Sequence, residues 1–106
     1  MTGRSVHRTR GPARHERPSI DEAALTAARA TDRLLEAARA AGAAARWVAF
    51  LEPLPDRLRD DGIVELRRTA RRARAAIGPN DSLREVLPPE VTEPFIVAID
   101  RLLREL

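Results

Sequence analysis

From Ile20 to Ala49, small and apolar residues recur every three or four positions, through Ala24, Ala27, Ala28, Thr31, Leu35, Ala38, Gly42 and Ala45. Glu22, Arg29, Arg33, Glu36 and Arg39 take the opposite side. This spacing matches the turn of an α-helix and not the alternation of a strand, so it predicts one long amphipathic helix over residues 21–51. At its start, Pro18 is followed by Ser19 and Glu22 in the S-x-x-E pattern of a capping box, in which hydroxyl and carboxylate satisfy free N–H groups. At its end, Pro53 and Pro55 cannot continue the hydrogen-bond ladder. The stripe is mostly alanine. It offers little area per residue but lets a neighbouring helix approach toward the short end of the usual spacing, about 8–10 Å. Leu25, Leu34, Trp47, Val48, Phe50 and Leu51 add larger apolar surface around it.

A second helix is expected from Asp56, with Gly62 breaking or kinking it before a stronger run from Ile63 to Ile77. Ile63, Leu66, Ala70, Ala73 and Ile77 form the apolar stripe of that run, and Gly78 with Pro79 gives its stop. Ser82 and Glu85 repeat the capping pattern before a short helix through Leu87, which Pro88-Pro89 ends. The last helix is expected from Glu93 to Glu105, with Pro94 in its first turn and Phe95, Ile96, Ile99, Leu102, Leu103 and Leu106 on its apolar side. The fold expected is all-α: a small up-and-down helical bundle of three main helices plus one short helix, forming a single domain over 19–106. Residues 1–18 hold one large apolar residue after the initiator, Val6, among glycines, prolines and arginines. Ordering that segment would cost about 1–2 kcal/mol per residue with little hydrophobic return, so it reads as a disordered basic arm.

At 106 residues the chain has room for one core. It has no cysteine, which removes disulfides and thiolate zinc sites and favours a reducing compartment. No secretory h-region follows the N-terminal arginines, and no stretch approaches the ~20 apolar residues of a membrane span. A soluble, cytoplasmic protein is expected, with no membrane partner. All 19 basic residues are arginine. Alanine is equally frequent, a usage that reads as codon bias in a GC-rich bacterial genome and tempers any functional reading of arginine. Net charge is +3, but it is unevenly placed: the N-terminal twenty residues and the stretch 46–78 are basic, and 79–106 is acidic.

The arginines of the second helix are the main chemical signal. Arg67, Arg68, Arg71, Arg72 and Arg74 fall on one arc away from the apolar stripe, where so much like charge calls for anions nearby. A nucleic-acid backbone, an acidic protein surface or the acidic C-terminal helix would each answer it, and the plainest alternative is a solvated helix face. The arm's Arg4, Arg8, Arg10, Arg14 and Arg17 can likewise track phosphates by charge alone, with no aromatic among them to stack on bases. A solubilising tail is the simpler reading of the arm.

Other constellations carry less. His7 and His15 are the only histidines and lie in the expected arm, where neither a metal site nor a positioned general base can form, so no metal or other cofactor is expected. Asp81-Ser82-Leu83 matches the tripeptide at which acyl carrier proteins bear phosphopantetheine. The basic Arg84, the short helix and the few residues that follow depart from that pattern, and Ser82 reads as an N-cap. Ala98-Ile99-Asp100-Arg101-Leu102 matches part of some DNA-recognition helices, but three prolines precede it in the linker and the region is acidic. Asp60/Asp61 and Glu90/Glu93 suit helix-end roles.

The function expected is therefore a non-enzymatic helical interaction module, an adaptor or regulatory subunit acting through helix packing. Its expected interface is Ala24, Ala28, Leu35, Ala38, Gly42, Ala45 and Trp47, used with a protein partner or in a homodimer. The alternative is a sequence-nonspecific nucleic-acid-binding protein that uses the basic arm and the five arginines.

Overall fold

A computed structural model describes residues 13–77 and 83–106, and the regular elements of those residues are all helices, with no strand among them. In chain order they form a 3-10 turn, Arg14–Glu16, then α1 Pro18–Ala40, α2 Ala45–Leu51, α3 Leu54–Asp60, α4 Ile63–Ala75, α5 Leu83–Val86 and α6 Pro89–Glu105. The all-α class expected from the periodicity holds. The segmentation is finer, and each extra break has a local cause.

The first break is at Gly42, which has φ 68. The Ala43 N–H donates to the Ala38 carbonyl at 2.9 Å and the Gly42 N–H to the Arg39 carbonyl at 3.2 Å. These are the paired bonds of a Schellman C-cap, which needs a left-handed residue at that position and selects glycine for it. The expected single helix over 21–51 is thus two helices, α1 and α2, and the stop is Gly42, with Pro53 and Pro55 only beginning the next element. Alanines on both sides of Gly42 keep the apolar spacing in phase, so periodicity alone does not show the turn.

Gly62 makes the second break, at the position where the sequence led one to expect a break or kink. It is the extended N-cap of α4, at φ −69 and ψ 172, and separates α3 from α4. The start of α1 also differs from the capping-box expectation: Pro18 is the first helical residue and Ser19 lies inside the helix. Proline at that position loses only an N–H that has no helical partner and arrives with φ preset. Pro88-Pro89 works the same way. Pro88 is the extended N-cap of α6 and Pro89 its first residue, so the pair opens the last helix four residues before the expected start at Glu93. Pro94 is consequently an interior proline of α6 and not a first-turn one. The expected stop at Gly78-Pro79 and the Ser82 cap fall outside the described residues.

One core joins these helices. The central rod is α1, packed against α6 on one side and α3 on another, while α4 closes the ring by touching both α3 and α6. Ala23, Ala24, Ala27, Ala28 and Ala38 on α1 are fully buried, as are Ala70 and Ala73 on α4. Phe95, Ile99 and Leu102 from α6, Leu51, Leu58 and Leu66 from the middle of the chain, and Leu83 fill the space these small residues leave. Large side chains on one helix against alanine on the next is how unequal rods reach interior packing density. Thr31, also fully buried, donates its hydroxyl to the Ala27 carbonyl at 2.7 Å, so its burial leaves no polar group unmatched.

The segment 13–17 is ordered, against the expectation of a disordered arm through residue 18. Arg14 causes this. Its side chain is 10% exposed, and one Nη1 lies 2.8 Å from the Leu58 carbonyl, 2.7 Å from that of Arg59 and 3.0 Å from that of Asp61. Nε donates to Asp21 Oδ1 at 3.0 Å. Nη2 is 2.9 Å from the same carboxylate oxygen, close enough for ionic attraction but out of line for a hydrogen bond. A guanidinium against carbonyls at the end of α3 meets the negative end of that helix. Residues 1–12 of the expected arm lie outside the described residues.

Candidate functional site

The five arginines singled out on the second helix all lie on α4 or in its last turn, but the fold divides them among three environments. Arg74 and Arg67 face α6. Arg74 Nε donates to Asp100 Oδ1 at 2.9 Å and its Nη1 to the Ile77 carbonyl at 3.1 Å, while Arg67 Nη2 donates to the Leu106 carbonyl at 2.6 Å. These two are answered within the chain by the last helix, one of the three partners the charge pattern allowed. Arg68 and Arg71 point outward beside the exposed Val64 and Ala75, and Arg72 lies on the flank of α4 that faces α2 and α3. Arg68, Arg71 and Arg72 are exposed and make no hydrogen bond or ion pair with any described residue.

Arg72 borders a groove of about 180 Å³. Ala49 and Phe50 from α2, then Pro53 and Leu54 at the start of α3, make its floor, and Arg57 of α3 stands at the rim with Arg72. Thr69 supplies the remaining wall, its hydroxyl donating to Asp61 Oδ2 at 2.7 Å. Arg57, like Arg72, is exposed and has no polar partner among the described residues. Behind Phe50, Trp47 packs edge to face with ring centroids 6.5 Å apart, and Arg46 lies 5.4 Å over the Trp47 ring. The local cause is the short α2–α3 connection: Leu51 and Leu54 are drawn into the core, which leaves Phe50 half-buried and Pro53 at the surface.

Several other arginines of the body are matched, while Arg17, Arg29, Arg33 and Arg104 are exposed and, like those of the groove face, have no polar partner among the described residues. Arg59 pairs with Asp32 across α3 and α1, and this hydrogen bond raises the Arg59 pKa above its ordinary value. Arg39 pairs with Glu52 at 2.8 Å, Arg84 with Glu93 at 3.3 Å and Arg101 with Glu22 at 3.4 Å. Arg57, Arg68, Arg71 and Arg72 are set apart by their grouping on the neighbouring helices α3 and α4, since Arg29 and Arg33 of α1 and Arg104 of α6 are also without a polar partner among the described residues.

The expected helix-packing interface fares differently. Ala24, Ala28, Leu35 and Ala38 are buried against the chain's own α3 and α6, so in this fold they present no outward stripe to a partner or a second copy. Gly42 and Ala45 are exposed at the turn, and Trp47 is half-buried behind the groove. A stripe of helical spacing marks which side packs but not against what, and here the neighbour is intramolecular. His15 lies exposed in the 3-10 turn, His7 lies outside the described residues, and among the described residues no three His, Asp or Glu side chains gather as metal ligands. Sequence reasoning missed Arg57 and placed Arg14 among the phosphate-tracking arginines of the arm, whereas its side chain is engaged within the fold. Arg57 was legible in part, since it directly precedes Leu58, whose burial turns it outward. The carbonyl partners of Arg14 are 44 to 47 positions away along the chain, so no local pattern signals them.

Fold and surface together define a class, a small all-α helical domain with an arginine-rimmed apolar groove. No family model matches the chain, and neither a curated protein nor a solved structure matches it at a significant level. No helix among the described residues is long and apolar enough to cross a membrane.

Proposed function

We propose that the chain is a non-enzymatic binding module that docks an acidic protein surface on the α2–α3–α4 face, and that it works in the reducing interior of a bacterial cell. The single observation that carries this is a group of four exposed arginines without a polar partner among the described residues, Arg57 and Arg72 bordering an apolar groove and Arg68 and Arg71 beside it on α4. Exposed guanidiniums bind carboxylates in a two-pronged geometry and lose little hydration in doing so. Apolar surface in their midst rewards a partner that brings apolar side chains as well as negative charge. A phosphodiester backbone gains from the charge and nothing from the floor. Two of the five α4 arginines are already engaged with α6, which further shortens any phosphate track. Protein is therefore the favoured partner class over nucleic acid.

A photo-activated cross-linking side chain placed at Ala75, on the outward side of α4, tests this in the source cells, with the same side chain at Glu36 of α1 as control. The expected result is a cross-link from position 75 to a protein other than this chain, lost when Arg68 and Arg71 are changed to glutamate. Cross-links to nucleic acid alone, equal capture from both positions, or capture unaffected by the charge reversal would each contradict the proposal.

A further inference from the structure

The groove between α2, α3 and α4 is too small for a drug-sized ligand, whose pockets run to roughly 300–1,000 Å³. At about 180 Å³ it is the size of a cavity for a single ring or branched side chain; an engineered apolar cavity of roughly 150 Å³ holds benzene. Its apolar lining comes from Ala49, Phe50, Pro53 and Leu54, and its two rim cations come from different helices, Arg57 on α3 and Arg72 on α4. An occupant must therefore fill the hole with an apolar side chain while holding negative groups on both sides of it.

We infer that this groove is a docking site for a peptide segment of a partner protein in which a leucine-type anchor is flanked by carboxylates, the anchor seated on Phe50 and Leu54 and the carboxylates paired with Arg57 and Arg72. This deepens the binding-module reading and rests on it. Charge complementarity selects the occupant. The chain's own N-terminal residues 1–12 carry arginines and no acidic group, so they are repelled by this rim. An apolar segment without acids would leave two guanidiniums uncompensated beside it, and an acidic segment without an anchor would leave the floor wet. Arg68 and Arg71 extend the positive field along α4 and speed the encounter with an acidic segment without entering the groove.

Trp47 is the only tryptophan in the chain and touches Phe50 edge-on, so its emission reports on the groove floor. The full chain is titrated with a short blocked peptide carrying a leucine pair between glutamates, following both peptide anisotropy and Trp47 emission. The expected result is saturable binding with Trp47 emission moving to shorter wavelength. Binding should weaken about tenfold in the Arg57→Gln, Arg72→Gln double variant and about as much when glutamine replaces glutamate or serine replaces leucine in the peptide. Both arginines are exposed, so the double variant should keep its helical circular-dichroism spectrum and melting temperature. No binding of the leucine-glutamate peptide, equal binding of the glutamine peptide, an unaffected double variant, or a short DNA duplex that competes for the site would each overturn the inference. If the peptide fails while the cross-link from position 75 persists, the groove assignment falls and the broader module reading stands. If both fail, the module reading falls as well.

Discussion

Arg14 and Gly42 each decide more structure than their neighbours. The Arg14 guanidinium ties the residues before α1 to the end of α3 through the Leu58, Arg59 and Asp61 carbonyls and to Asp21 at the start of α1. Its removal leaves carbonyls at a helix end without a cation and frees the 3-10 turn. Arg14→Ala should therefore lower unfolding free energy by about 2 kcal/mol, measured by urea titration. Arg14→Lys should recover less than half of that, because an ammonium cannot present the planar fork that several acceptors use here. Gly42 acts through its backbone alone. A Cβ built there meets nothing within 4 Å, so Gly42→Ala carries only the left-handed penalty, about 1 kcal/mol, and Gly42→Asn should be milder. If alanine were neutral in the same titration, the turn would not be held in the left-handed conformation.

At the level of elements, helix type was legible in the sequence and helix ends were legible only in part. The stripe Ile63, Leu66, Ala70, Ala73 and Ile77 was readable because burial of one side of a rod imposes the spacing directly, and all are buried but Ile63, which is half-buried against the core. The split at Gly42 was not, because alanine is compatible with helix and turn alike and keeps the pattern in phase through the break. Pro88-Pro89 was ambiguous in principle. Proline both ends one helix and opens the next, and only the packing of Phe95 and Thr92 into the core places it at the start of α6. The alanine seam of α1 showed that helices approach closely there, without showing that the approaching helices belong to the same chain. Ala28→Leu tests that placement. In a fully buried seam the added methylenes overpack, and stability should fall by about 1–3 kcal/mol, whereas an outward-facing alanine would accept leucine without loss. Pro94 offers the opposite sign: it interrupts the ladder of α6 from an exposed position, so Pro94→Ala should raise the melting temperature, with a gain of about 1–2 kcal/mol.

For the molecule as a whole, ion pairs cross the helix–helix contacts, and the α3–α4 face groups four arginines that have no polar partner among the described residues. Asp32–Arg59 joins α1 to α3, Asp100–Arg74 joins α6 to α4, and Glu22–Arg101 joins α1 to α6. These exposed pairs contribute little stability singly, on the order of 0–1 kcal/mol, but they fix which arginines are available to anything else. The candidate site was therefore half-visible beforehand: the five α4 arginines identified the helix, and tertiary structure was needed to remove Arg67 and Arg74 and to add Arg57. The measurement that bears most directly on this assignment is a map of backbone amide chemical shifts in the isotope-labelled chain as the leucine-glutamate peptide is added. Perturbations gathered at Phe50, Leu54, Arg57, Thr69 and Arg72, fading as salt is raised, are the predicted result. Perturbations running along α1 through Ala24, Ala28 and Ala38, with the groove residues unmoved, would contradict it.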